Sequence, residues 1–213
     1  MQPTPLFQDK FNMHHPPARY TMMHYSIFPI LVVLHATLLS GCANNVVNLS
    51  YPPLQGSAIP VTEKSLNVCV VDFTNKRETG SIGSRQDGEV ILPRTPVERW
   101  FASGMAAELQ HAGFRVTIME TLEEALASGS DYIVIGEVED VRLVENSLTR
   151  FTGHVRSSVT LLDGLGGYVT RNAYNSIYSK AVLPIYGLPQ TLRDDALVEM
   201  LQPATKLLSQ KMQ

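Results

Sequence analysis

The chain reads as an α+β protein: one domain with a mainly antiparallel sheet, a mixed sheet being the alternative, and helices packed on one face. Three observations predict this. Two amphipathic stretches, near 95–113 and 192–211, carry apolar side chains at three- and four-residue steps. Three long strand-like segments (132–144, 151–162 and 168–182) follow one another with only turn residues between them. A short, almost continuously apolar strand, Leu66 to Phe73, precedes the first helix and reads as a central strand.

Each element has a local cause. The segment 74–88 is polar and carries Gly80, Gly83 and Gly88, so it reads as loop or hairpin turns, with a short strand at 89–92. Thr95-Pro96-Val97-Glu98 combines an N-cap threonine, a proline at the first helical position and a glutamate three residues after the cap. Val97, Phe101, Met105, Leu109 and Ala112 then form one stripe, Trp100 lies at its edge, and Gly113 ends the helix. Phe114, Val116 and Ile118 alternate with polar or flexible residues, which is a half-buried strand. Thr121-Leu122-Glu123-Glu124 is a second capping box, opening a short helix that Gly129 closes. The three long segments turn at Glu145-Asn146-Ser147 and Asp163–Gly167, which predicts an antiparallel meander. Polar positions on both faces of these strands imply that one sheet face is solvated or covered by a partner. In the last helix Leu197, Leu201, Ala204 and Leu208 make the apolar stripe, and Pro203 predicts a kink or a division into two helices.

The N-terminal region has a different character. Ile27 to Leu39 is a 13-residue apolar run, too short for the roughly 20 residues that span a bilayer. It ends in Leu39-Ser40-Gly41-Cys42, which resembles the lipobox of bacterial lipoproteins: an aliphatic residue, two small residues and the cysteine that takes the lipid. The resemblance implies that residues 1–41 are a signal peptide, with Met13 or Met22 as alternative starts. Residues 42–64, rich in Asn and Pro, then read as the lipidated cysteine and a flexible tether, and 65–213 as a periplasmic α+β domain. In lipoproteins of this class an aspartate after the cysteine favours inner-membrane retention. Ala43 stands there, so the resemblance implies the outer membrane.

Composition narrows the chemistry of what remains. The 17 basic and 20 acidic residues include Lys10, Arg19 and Asp9 in the leader, leaving no basic excess for a nucleic-acid partner. Lipidation would use one of the two cysteines, so Cys69, in an apolar strand, has no partner for an intramolecular disulfide and reads as a core residue. Four of six histidines leave with the leader. His111 and His154 remain, too few and too isolated for a zinc set, so no metal and no cofactor is expected. Nucleophile-elbow, zincin, Walker and dinucleotide patterns are absent, and the chain reads as a non-enzyme. An enzyme using Asp72, Glu137 or Glu139 is the less favoured reading. Two candidate interaction surfaces stand out. One is the loop bearing Lys76, Arg77 and Arg85, suited to an acidic group; the other is the strand bearing Tyr168, Tyr174 and Tyr178.

The whole order of elements resembles the YajG-type bacterial lipoproteins. It includes the lipobox leader, the Asn/Pro stretch, Val71-Asp72-Phe73 and the Ser81–Arg85 loop. The segment His111–Val116, the meander and the terminal helix complete it. The resemblance brings no catalytic residues with it. Together with the anchor it implies an envelope interaction or assembly module with a protein partner. The alternative is an auxiliary lipoprotein of an envelope ABC transporter or lipid-transport system, whose sheet and helices would enclose an apolar groove.

Overall fold

A computed structural model describes residues 45–52, 54, 56–147, 149–181 and 190–212. Among these the chain forms nine strands and three helices. In order they are β1 (Val46–Val47), β2 (Asn67–Val71), β3 (Thr74–Asn75), β4 (Gly83–Ser84), β5 (Val90–Pro93) and α1 (Val97–His111). Then come β6 (Arg115–Met119), α2 (Leu122–Ala127), β7 (Tyr132–Ser147), β8 (Arg150–Asp163), β9 (Tyr168–Ala181) and α3 (Gln190–Lys211).

The 16-residue β7 is the spine of the sheet. Three short strands line one of its edges in parallel: β2 against 132–134, β3 against 137–138 and β4 against 143–144. The other edge carries β8 and then β9, both antiparallel, so the predicted meander is present. β6 lies parallel beside β2, making β2 central as expected, while β5 joins β4 and β1 closes that side. The sheet is therefore mixed and not mainly antiparallel. The cause is connectivity: α1 carries the chain from β2 to a parallel β6, and α2 carries it back past β2 to a parallel β7.

Packing also corrects the expectation of helices on a single face. Val68 and Val70 of β2 cluster with Phe101, Met105 and Leu109 of α1 and Leu197 and Leu201 of α3. Their alternating neighbours Cys69 and Val71 cluster instead with Ala125 of α2, Ile133 and Leu162. So α2 covers one corner of the opposite face, and the rest of that face has no helix upon it among the described residues.

Local chemistry explains where the elements end. The Thr121 capping box forms in full, its hydroxyl accepting from the Glu124 amide while Glu124 accepts from the Thr121 amide. The Thr95 box does not form. Pro96 itself occupies the cap position, where its ring offers no acceptor, and Glu98 accepts instead from Asn75 Nδ2 at 3.3 Å. At the other end Phe114 N–H reaches the Leu109 carbonyl and Gly113 N–H that of Gln110, with Gly113 at φ +92°, a Schellman closure. The α1 stripe is buried as predicted, and Trp100 is a full core residue, 1% exposed, whose Nε1 donates to the Ser50 carbonyl. Pro203 lies inside α3, which continues through it as one helix. Glu145, Asn146 and Ser147, expected to form a turn, extend β7.

Several described residues ahead of β2 pack on the domain. Val47 and Leu49 are buried, the Tyr51 hydroxyl donates to Glu108 Oε1, and the Ile59 amide donates to the His111 carbonyl.

Candidate functional site

Leu39, Ser40, Gly41 and Cys42 lie outside the described residues, so the site of attachment is read from sequence. Within the domain, the face of β7, β8 and β9 that carries no helix among the described residues is rich in charged side chains. Strand alternation puts Glu137, Arg142, His154, Arg156, Arg171 and Asn175 on it. They form linked pairs across the strands. Arg171 donates to Glu137 Oε2, which Lys76 also approaches through Oε1 at 3.8 Å. Arg156 Nε lies 2.9 Å from Glu139, and Asp140 Oδ2 lies 3.3 Å from Arg142 and 2.8 Å from His154 Nδ1. The other His154 nitrogen is 2.7 Å from Asn175 Oδ1, so one imidazole bridges β7 and β9 through β8.

A bulge shapes this surface. Val138 pairs with Ser157 and Asp140 with Arg156, leaving Glu139 as an extra residue in β7. The bulge places Glu139 and Asp140 side by side at the mouth of a cleft of about 640 Å³, whose other wall is the 76–84 loop. Lys76 and Arg77 of the predicted interaction loop line it, together with Arg142 and Arg156. Arg85 does not. It is turned to the sheet edge, with Nε 3.3 Å from Glu145 Oε2 and Nη1 3.5 Å from Asn45 Oδ1. Arg77 is half-buried, donating to the Ser81 carbonyl at 2.8 Å and to Asn75 Oδ1 at 3.1 Å. Burial draws its guanidinium down from the ordinary value, and Glu98 and Asp140 oppose that shift.

A second cleft, about 330 Å³, opens at the carboxyl ends of β2 and the parallel part of β7. Here the chain switches from α1 on one face to α2 on the other, the position where open α/β sheets place ligands. Asp72 and Glu137 line it, with Glu120, Glu123 and Arg171. Asp72 Oδ2 lies 3.0 Å from Arg99 Nε, whereas Oδ1 is buried without a hydrogen-bond partner among the described residues. Burial pushes the Asp72 carboxyl up, and the Arg99 charge offsets part of the rise. Asp72, Glu137 and Glu139, the carboxylates of the less favoured enzyme reading, are thus split, with Asp72 and Glu137 in this cleft and Glu139 in the other.

Other sequence candidates resolve into packing. Cys69 is fully buried and free, and burial raises its thiol, which opposes reactivity. Tyr174 and Tyr178 pack against the core on the helix side of β9, and Tyr168 is exposed. His111 ends α1 with Nε2 3.5 Å from the Gly56 carbonyl. Phe101, Met105, Leu197 and Leu201 fill the space between the sheet and the long helices, where the alternative reading wanted an apolar groove. Among the described residues no helix is long and apolar enough to cross a membrane, and no group of three or more His, Cys, Asp or Glu is placed to hold a metal.

No family model matches the chain, and no curated protein matches it. Solved structures give loose likenesses. Protein XCC0632 from Xanthomonas campestris is 13% identical, with a TM-score of 0.49 over 76% of this chain and 91% of that one. The PelC dodecamer from Paraburkholderia phytofirmans is 21% identical, with a TM-score of 0.43 over 68% and 92%. The lipoprotein GNA1162 from Neisseria meningitidis is 12% identical, with a TM-score of 0.40 over 68% and 99%. With every score below 0.5, function is read from this chain's own residues.

Proposed function

We propose that this is a lipid-anchored cell-envelope protein of the YajG-type class, held through Cys42 on the periplasmic side of the outer membrane. Its domain is a non-enzymatic interaction or assembly module that presents the outer face of β7–β9 to a protein partner. The observation that carries the reading is the Leu39-Ser40-Gly41-Cys42 tetrad closing a short apolar run directly ahead of a folded domain. The charged face supports the second half. Its arginines are exposed while their carboxylate partners are part-buried, so the guanidinium ends are available for exchange with a partner's charges.

Replacing Cys42 tests the anchor. Cys42→Ser is expected to leave the chain unprocessed or free in the periplasm, read by fractionation and by its shift in size. Unchanged size together with unchanged membrane retention would remove the proposal.

A further inference from the structure

The outer sheet face is charged over most of its extent, but its β1–β5 end is aliphatic. Val46 stands opposite Leu92 in the parallel β1–β5 pair, and Val90, two residues before Leu92, shares that face. The three are 40%, 43% and 54% exposed, whereas Val47 and Ile91 between them are buried. Adjacent strands lie about 4.8 Å apart, so these side chains form one small continuous patch. The acidic neighbour Glu89 is engaged by the Asn45 side-chain amide.

Chain length says what this patch can meet. Val46 follows Cys42 by four residues, a link that spans about 14 Å at most when fully extended. A lipid on Cys42 therefore confines the patch to the immediate neighbourhood of the bilayer surface. Confinement matters because a tethered contact binds at a high effective concentration, which strengthens a small aliphatic contact relative to free solution. Other exposed aliphatic side chains stand apart from this patch: Ile59 and Val61 ahead of β2, Ile177 on β9, and Leu165, 95% exposed in the β8–β9 turn at the opposite end of β7, about 40 Å away along the strand.

We propose that Val46, Val90 and Leu92 rest on the lipid surface, a second contact beside the lipid that fixes which way the domain faces. This rests on the reading that Cys42 is acylated. The contact is confined to the β1–β5 side of β7, and β8 and β9 lie on the other side of that strand.

The test uses the full chain made in cells, checked by mass for acylation and placed in phosphatidylethanolamine–phosphatidylglycerol vesicles. Leu92→Trp is expected to shift its emission to the blue, to be quenched by lipids brominated near the headgroup, and to resist aqueous iodide. Leu165→Trp is expected to do the reverse, and the buried Trp100 supplies a constant background in both. Val90→Trp serves as the second reporter should Leu92→Trp fold poorly. An acylated protein whose residues 90 and 92 stay open to iodide and unquenched overturns the membrane contact and leaves the anchor standing. A protein with no acyl group on Cys42 overturns both.

Discussion

Asp72 is a carboxylate held where its charge is poorly served: one oxygen meets Arg99 and the other meets no hydrogen-bond partner among the described residues. Because burial raises its folded pKa above the unfolded value, native Asp72 binds its proton more readily than the unfolded chain does. Stability contributed by that proton is fully present below the unfolded pKa and is lost as pH rises through the folded one. Asp72→Asn is expected to raise the urea midpoint at neutral pH, with the advantage shrinking in acid as native Asp72 becomes neutral. A variant less stable at neutral pH would show that the Arg99 pair outweighs burial. Gly83 makes a firmer demand. At φ +154°, a Cβ there would sit 1.9 Å from the Leu143 carbonyl oxygen, so nothing larger than hydrogen lets β4 approach β7. Gly83→Ala is expected to cost about 3 kcal/mol in urea unfolding, since the neighbour that must yield is backbone. Residue by residue, the core was legible from apolar spacing. The depth of Trp100 was not, because its partner is the Ser50 carbonyl, 50 residues upstream.

At the level of elements, the two capping boxes show what a local pattern can and cannot carry. Thr121 to Glu124 satisfy one another, so the pattern is complete within the four residues. At Thr95 distant groups intervene: Asn48 lies 3.5 Å from its hydroxyl, and Asn75 takes the Glu98 carboxylate. The bulge in β7 left a signal that the reading of 132–144 as a plain strand passed over. Core-facing positions are even at Val134 and Val138 and odd at Val141 and Leu143, a parity change visible in the sequence that marks an extra residue between them. Composition gave no sign of the contacts made ahead of β2, since Asn and Pro suggest a linker while the partners of Ser50, Tyr51 and Ile59 are 50 or more residues away. Tyr51→Phe is expected to lower stability by about 1–3 kcal/mol, because the largely buried Glu108 carboxylate loses its donor. A change within error would show that this hydrogen bond adds nothing to stability. On the charged face, Arg142→Ala with Arg156→Ala is expected to move stability by less than about 0.5 kcal/mol while weakening capture of the partner in cells. A large loss of stability would recast these arginines as structural.

Taken whole, the molecule combines an antiparallel meander with a parallel unit wound on both sides of β2, and only the first was evident from turn spacing. The parallel half was signalled by a capped helix on either side of β6, an alternation of strand and helix that demands crossovers. Short strands such as β3 and β4, two residues each, have no periodicity to read. The face that carries no further helix among the described residues follows from this topology, since α1 and α3 share one side and α2 reaches only a corner of the other. If Cys42 anchors the chain, Ala43→Asp is expected to move it from the outer to the inner membrane fraction on density-gradient separation, and unchanged sedimentation would count against outer-membrane sorting. The central claim is tested most directly by the intact mass and N-terminal sequence of the detergent-extracted protein. A mature chain beginning at Cys42 and heavier by its acyl groups is the predicted result. A chain that begins elsewhere, or has the mass of its unmodified sequence, would contradict it.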